Sequence, residues 1–223
     1  MLRALLVSFA VWLVASLAGL ACSRQDPRPL AEPAPSLPQP PPRQQDPEQA
    51  RFDEERRPDL IVATLGIKPG AQVADIGAGS GLLTVHLARA VAPGGKVVAT
   101  DIENAVLDLL RNRLDRAKLS GVVEPRVVEA DTPGLEPASY DVILLSEVDH
   151  YFSDPEAWLG VAKAALKPDG AIAITNRIHH RARGLAAAKA AGLHLVSENS
   201  PVPSTFLAVF RLQPLSSATA PRP

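Results

Sequence analysis

The stretch VADIGAGSG, Val73 to Gly81, places an acidic residue, Asp75, before three glycines at every second position: Gly77, Gly79 and Gly81. Glycine has no Cβ, so a chain can turn sharply through such a run and bring bare backbone close to a ligand. Amides that open a following helix point at whatever is bound there and favour negative groups. Two more carboxylates follow apolar runs: Asp101 after Lys96–Thr100 and Asp131 after Val123–Ala130. Carboxylates are uncommon inside buried strands unless paired. At strand ends they sit on the rim where a ligand lies, and the pattern suits a nucleoside cofactor. The dinucleotide fingerprint asks for G-x-G-x-x-G. Here the spacing is G-x-G-x-G, and Leu82 stands where that pattern wants its last glycine. A phosphate-binding P-loop would need glycine followed by lysine and a hydroxyl residue, which this turn lacks.

Alternating elements must position these residues. Helices are predicted over Pro58–Leu65, Leu82–Val91, Asn104–Leu119, Pro155–Leu166 and Arg183–Ala191. In Asn104–Leu119, Val106, Leu110, Leu114 and Ala117 share one face at helical spacing. Strands are predicted over Gln72–Ile76, Lys96–Thr100, Val123–Ala130, Tyr140–Leu145, Ala171–Thr175, His194–Glu198 and Ser204–Leu212. Turns such as Lys167–Gly170 separate them. Tyr140–Leu145 is nearly all apolar, as expected of a strand buried on both faces. Strands alternating with helices imply right-handed crossovers and a doubly wound, mostly parallel α/β sheet of seven strands. Its ligands would lie beyond the carboxyl ends of the strands.

The chain has 223 residues and a net charge of −1. Acidic and basic residues nearly balance, which argues against a nucleic-acid binder relying on a broad basic surface. Residues 1–22 read as a signal peptide or membrane anchor: one arginine, Arg3, then an apolar run from Ala4 to Ala21. The only cysteine, Cys22, follows Gly19-Leu20-Ala21 and resembles a bacterial lipoprotein processing site, with Cys22 lipidated. Cleavage without lipidation and an uncleaved anchor also fit the run. Residues 23–50 read as a disordered, proline-rich linker, able to span several tens of Å at ~3.1 Å per residue. Residues 51–213 form the expected domain, and 214–223 a disordered tail. With Cys22 outside it, that domain can hold no disulfide, thiolate metal site or cysteine nucleophile.

These motifs together resemble the class I S-adenosylmethionine-dependent methyltransferases, over about Pro58 to Leu212. VADIGAGSG looks like the family's first motif, VVATDIE (Val97–Glu103) its second and VVEAD (Val127–Asp131) the third-strand motif. YDVILLSEVDHYF (Tyr140–Phe152) looks like the fourth, and LKPDGAIAI (Leu166–Ile174) like the turn and strand after it. The last two strands match the family's closing reversed hairpin, which puts an antiparallel strand at the C-terminal end of a Rossmann-like methyltransferase sheet. The resemblance implies S-adenosyl-L-methionine as cofactor. Gly77, Gly79 and Gly81 would pass close to its methionine part. Asp75 would help hold its amino group through backbone or water. Asp101 would accept both ribose hydroxyls, unless it caps the helix from Asn104 onward. Asp131 would accept from the adenine amino group, unless it serves the turn at Thr132-Pro133-Gly134. Thr132 would lie beside the ring, and Ile102 could pack on an adenine face.

A sulfonium sheds a neutral thioether, so alignment of the nucleophile does most of the work. A base matters only where the nucleophile must lose a proton. Ser146, Glu147, Asp149, His150 and Tyr151 follow the fourth strand, where family members line the acceptor pocket. His150 is the candidate base, with Glu147 or Asp149 orienting it or binding a cationic acceptor. The alternative is a polar loop capping a helix at Ser153-Asp154. His86 reads as structural. No metal is expected near His179-His180, because Ser146 and Thr175 stand where magnesium-binding relatives place carboxylates. The asparagine-proline-proline-aromatic signature of nucleic-acid amino-methylating relatives is absent, as are the cysteines of arsenic-methylating ones. A small-molecule acceptor is expected, with no nucleic acid, on a monomer whose pocket is built from an Arg51–Leu65 helix and short loops.

S-adenosylmethionine is made and kept in the cytoplasm, so an exported methyltransferase is awkward. Three readings stand: an anchored enzyme whose domain stays inside, an exported lipoprotein of the periplasm or outer membrane, or an exported binding module that keeps the fold. Arg24 and Arg28 after the apolar run lend the first slight support.

Overall fold

The computed structural model describes residues 46–212. The sequence readings that fall outside them, Cys22 and the N-terminal segment among them, are not addressed by it. Two short helices come first, α1 (Pro47–Arg56) and α2 (Pro58–Leu65). Helix α1 starts inside the span read as linker. Asp46 caps it, accepting from the amides of Glu48 (3.1 Å) and Gln49 (3.3 Å), and Pro47 occupies the first turn where its missing N–H costs nothing. Arg57 breaks the run with a left-handed φ of 48°, and Gly66 ends α2 at φ 61°. The single helix expected over Arg51–Leu65 is therefore two.

There follow β1 (Gln72–Ile76), α3 (Thr84–Val91), β2 (Lys96–Asp101), α4 (Asn104–Ala117), β3 (Val123–Val127) and β4 (Tyr140–Ser146). The chain closes with α5 (Pro155–Ala162), β5 (Leu166–Arg177), α6 (Arg181–Ala190), β6 (His194–Asn199) and β7 (Thr205–Arg211). The sheet order is β3-β2-β1-β4-β5-β7-β6. Strands β1 to β5 pair in parallel, while β7 runs antiparallel between β5 and β6. This is the mostly parallel seven-stranded Rossmann-like methyltransferase sheet that the motifs implied. Between β1 and β4 the chain returns from one edge to build the other half. That reversal opens a crevice at the carboxyl ends of the strands.

Both faces of the sheet are covered, and strand parity decides which side each residue serves. Val142 and Leu144 of β4 join Val73, Val97 and Ala99 against α2, α3 and α4. Ile143 and Leu145 turn the other way and join Ile174, Phe206 and Phe210 against α5 and α6. Leu110 and Leu114 of α4 are buried as expected and Ala117 packs against the same core; Leu107 joins them, while Val106 lines the crevice instead.

Other differences are local. Strand β3 stops at Val127, three residues early. The amide of Val128 still reaches Asp101 O (3.0 Å), and residues 128–139 then form a loop. Lys167–Gly170 does not interrupt the fold as a turn. It is absorbed into β5 as an irregularity, with the register to β4 shifting between Tyr140↔Leu166 and Val142↔Ala171. Among the described residues, no helix is long and apolar enough to cross a membrane.

Candidate active site

The glycine turn lies between β1 and α3, at the reversal of the sheet. Its three glycines all have positive φ but serve different ends. A Cβ on Gly77 would meet Val148 Cγ2 at 2.6 Å, and one on Gly81 would meet Leu110 Cγ at 2.8 Å. Gly77 thus lets the loop after β4 approach, and Gly81 lets α4 pack. Gly79, at φ +56°, has open space where a Cβ would sit; of the three glycines only Gly77 lines the cavity described next.

A cavity of about 520 Å³ runs along the ends of β1, β2, β3 and β4. Of the residues singled out in the sequence, Gly77, Asp101, Ile102, Asp131, Thr132, Glu147 and Tyr151 line it. Asp101 joins the lining to the glycine turn. Its Oδ2 accepts from the Gly79 amide (2.9 Å) and its Oδ1 from the Glu103 amide (3.2 Å). Glu103, not Asp101, is the N-cap of α4, so Asp101 bridges the glycine turn and the loop after β2. Each oxygen keeps lone pairs for a ligand. Ile102 is 59% exposed beside it, an apolar surface with nothing packed on it. Asp131, at φ +60°, accepts from the Ser153 amide (2.9 Å), and Ser153 holds its carboxyl below the usual carboxylate range. That bond ties the loop after β3 to the loop after β4.

Five carboxylates line this cavity (Asp101, Glu103, Glu129, Asp131 and Glu147), and no lysine, arginine or histidine is among the lining residues. Thr100 contributes a buried hydroxyl with no partner among the described residues. Phe152 and Trp158, stacked at 4.5 Å, close the wall toward α5. Thr100, Glu103, Glu129, Phe152 and Trp158 were not singled out from sequence. For the first two, adjacency to Asp101 was the available signal.

The structure places other candidates elsewhere. Asp75 is 2% exposed, does not line the cavity, and accepts from Thr84 Oγ1 at 2.7 Å. Burial pushes its pKa up to about 7, against the Thr84 hydroxyl and with help from the charge on Asp101. It braces the start of α3 under the glycine turn. Ser146 closes β4 opposite Thr175 and lies off the cavity. Asp149 is buried and accepts from Asn176 Nδ2 at 2.7 Å. The other hydrogen of that amide faces His150 Nδ1 at 2.9 Å, while Asn176 Oδ1 accepts from the Arg177 amide (2.7 Å). With its oxygen so engaged the amide cannot flip, so His150 Nδ1 is an acceptor and the ring's proton sits on Nε2. His150 does not line the cavity, and neither Glu147 nor Asp149 orients it.

Glu147, at φ +54°, binds instead to Arg56 of α1 and to Arg177 Nε (3.1 Å). The other end of α1 is tied to the glycine turn. Gln49 Nε2 donates to Leu82 O (3.0 Å), and buried Arg113 donates to Ser80 O (3.0 Å) and Glu48 (2.6 Å). His86 completes this join through Asp53 (2.8 Å), a structural role. Among the described residues, no group of three or more histidine, cysteine, aspartate or glutamate side chains is arranged to hold a metal.

Residues 74–172, from β1 into β5, match a family model described as a methyltransferase domain. A ubiquinone/menaquinone biosynthesis C-methyltransferase of Idiomarina loihiensis is 34% identical over 112 residues, 49% of this chain and 43% of its own. The chain spans less than half the length of the curated relatives it matches. Among solved structures, an S-adenosylmethionine-dependent methyltransferase from Aquifex aeolicus superposes with a TM-score of 0.65 at 21% identity. It covers 74% of this chain and 96% of its own. An O-methyltransferase from Thermotoga maritima gives 0.59 at 21% identity, covering 71% and 65%. The matched segment is thus similar to a methyltransferase domain, and the solved structures share its Rossmann-like sheet.

Proposed function

We propose that this domain transfers a methyl group from S-adenosylmethionine to a small-molecule acceptor. When bound, S-adenosylmethionine supplies a methyl group on a sulfonium that departs as a neutral thioether. One observation carries the reading: an acidic cavity with no lining cation, set on a bare glycine turn at the sheet's reversal. Phosphates would be repelled there, so ATP and dinucleotides fit poorly, whereas a nucleoside bearing positive charge fits.

The chain's own residues divide the work. Asp101 holds the ribose hydroxyls with the lone pairs left over from its two amide bonds. Ile102 offers an apolar face to the base, and Asp131 and Thr132 meet its polar edge. Glu147 and Tyr151 bound the end nearest the acceptor. Phe152 and Trp158 keep water from that wall. The residues after β4 are already engaged: Asn176 occupies His150 Nδ1 and Asp149, and two arginines occupy Glu147. Rate enhancement then comes from alignment rather than proton removal. A small acceptor is supported by the short connections between β1 and β7, which among the described residues carry no inserted domain. Attachment to a membrane through residues 1–22, with Cys22 lipidated in an exported lipoprotein, is part of the same proposal. Radiolabelled palmitate incorporation, lost in Cys22→Ser, tests it.

Calorimetry on the full chain tests the cofactor. Micromolar binding of S-adenosylmethionine and S-adenosylhomocysteine is expected. A folded protein that binds neither would sink the reading, non-catalytic module or not.

A further inference from the structure

Beyond the ends of β4 and β5 the site changes character. Four rings lie in contact there. Tyr151 meets His150 at 4.0 Å, His150 stacks on His180 at 4.3 Å and 17°, and His180 meets His179 at 4.0 Å. Tyr151, the ring that also lines the cavity, is 77% exposed, and Ile178 is exposed nearby in sequence on the loop after β5. Partial burial, then the neighbouring imidazoles of His179 and His150, hold His180 below the usual histidine range. Arginine is the side chain that always carries its charge, so the fixed positive charge at this edge is that of Arg56, Arg177 and Arg183.

That charge is in surplus. Arg56 and Arg177 share the single carboxylate of Glu147. Arg177 uses only Nε for it, and among the described residues its two terminal nitrogens have no hydrogen-bond partner. Arg183 donates to the carbonyls of His150 (3.2 Å) and Phe152 (3.1 Å), which leave its charge uncompensated. The remaining acid, Asp149, is buried against Asn176. A cationic amine, which Glu147 alone would suggest, would meet a carboxylate already held by two guanidiniums. A planar anion would find an open guanidinium fork, which matches carboxylate geometry, beside an exposed aromatic face.

We infer that the methyl acceptor is a small planar organic anion, its charge met by Arg177 beside Arg56 and its flat body laid on Tyr151. The inference rests on the methyl-transfer reading above. The probes are 4-hydroxybenzoate and 4-hydroxybenzamide, which differ in charge but little in shape. Their binding to the full chain saturated with S-adenosylhomocysteine is measured by calorimetry at low salt. The carboxylate is expected to bind about tenfold tighter than the amide, the scale of one charge-assisted hydrogen-bond pair. High salt should shrink the gap. Arg177→Gln should bring the ratio near one, with S-adenosylhomocysteine affinity serving as the folding control. Equal binding of the two probes, preference for the amide, or no binding of either to the loaded protein overturns the inference while leaving the cofactor reading intact. Failure of S-adenosylhomocysteine itself to bind overturns both.

Discussion

The two halves of the site use the same residue type in opposite ways. On the β1–β3 side, carboxylates are bonded to backbone amides, Asp101 to Gly79 and Glu103, and Asp131 to Ser153. Amide donors fix such a carboxylate in place and leave it an anion with lone pairs to offer. On the β4–β5 side, carboxylates are bonded to side chains: Glu147 to Arg56 and Arg177, Asp149 to Asn176. Those partners use up the acids as struts, and the working groups become the arginines. An acid after a parallel strand is thus a ligand seat or a brace according to what donates to it, and the charge offered to a ligand reverses between the halves.

The contrast can be broken most directly at Asp101. Asp101→Ala should weaken S-adenosylmethionine binding by roughly a hundredfold or more, since two charge-assisted bonds of about 1.5–3 kcal/mol each are lost. Calorimetry reads this. An unchanged affinity would remove the functional half of the comparison.

Asp75 sharpens it by showing what an acid costs when neither ligand nor cation meets it. Its carboxyl keeps a proton in the fold up to about pH 7 but loses it near pH 4 when unfolded. The folded state therefore binds the extra proton between those values, and stability falls as pH rises through that window. Above it the loss is on the order of 4 kcal/mol. Asp75→Asn should flatten denaturant-measured stability between pH 5 and 8. A wild-type curve with no such fall would show the buried carboxyl is not titrating as described.

The glycines separate packing from binding. Gly77→Ala should cost about 2–4 kcal/mol of stability, combining a left-handed backbone penalty with the clash against Val148. Val148→Ala in the same chain should recover the steric share. Gly79→Ala, with the same sign of φ but open space, should cost only about 1–2 kcal/mol while still weakening the cofactor. Urea denaturation of the three variants distinguishes these outcomes.

The smallest effect is expected at His150. His150→Ala should change the methyl-transfer rate by less than about tenfold, below the range of a general base. A loss of a hundredfold or more, with a pH profile that loses a limb, would return it to the catalytic centre.

Much of the β1–β3 half was legible because its logic is local. A glycine turn announces itself by spacing. An acid one residue past an apolar run is at a strand end by construction, and both Asp101 and Ile102 follow from that count. In α4 the periodicity picks out Leu110 and Leu114 correctly but takes Val106 for core in place of Leu107, because the apolar face is shared between the core and the cavity. The β4–β5 half was not legible in the same way. His150, Glu147 and Asp149 sit where a pocket should be, and nothing nearby in the chain reveals that Asn176 and Arg56 take them. Asp75 was opaque for a related reason: strand parity puts it on the Val73 face, toward α3, and only the turn above it brings Thr84 within reach.

By itself the sequence determined the alternation of elements, the place of the glycine turn, the acidic strand ends and hence the class of fold. Those depend on periodicity and on contacts between close neighbours in the chain. The tertiary structure alone decided which acids remain available to a ligand. Glu147 and Arg56 are 91 residues apart and Asp149 and Asn176 are 27 apart, and only the winding of the sheet brings such partners into contact.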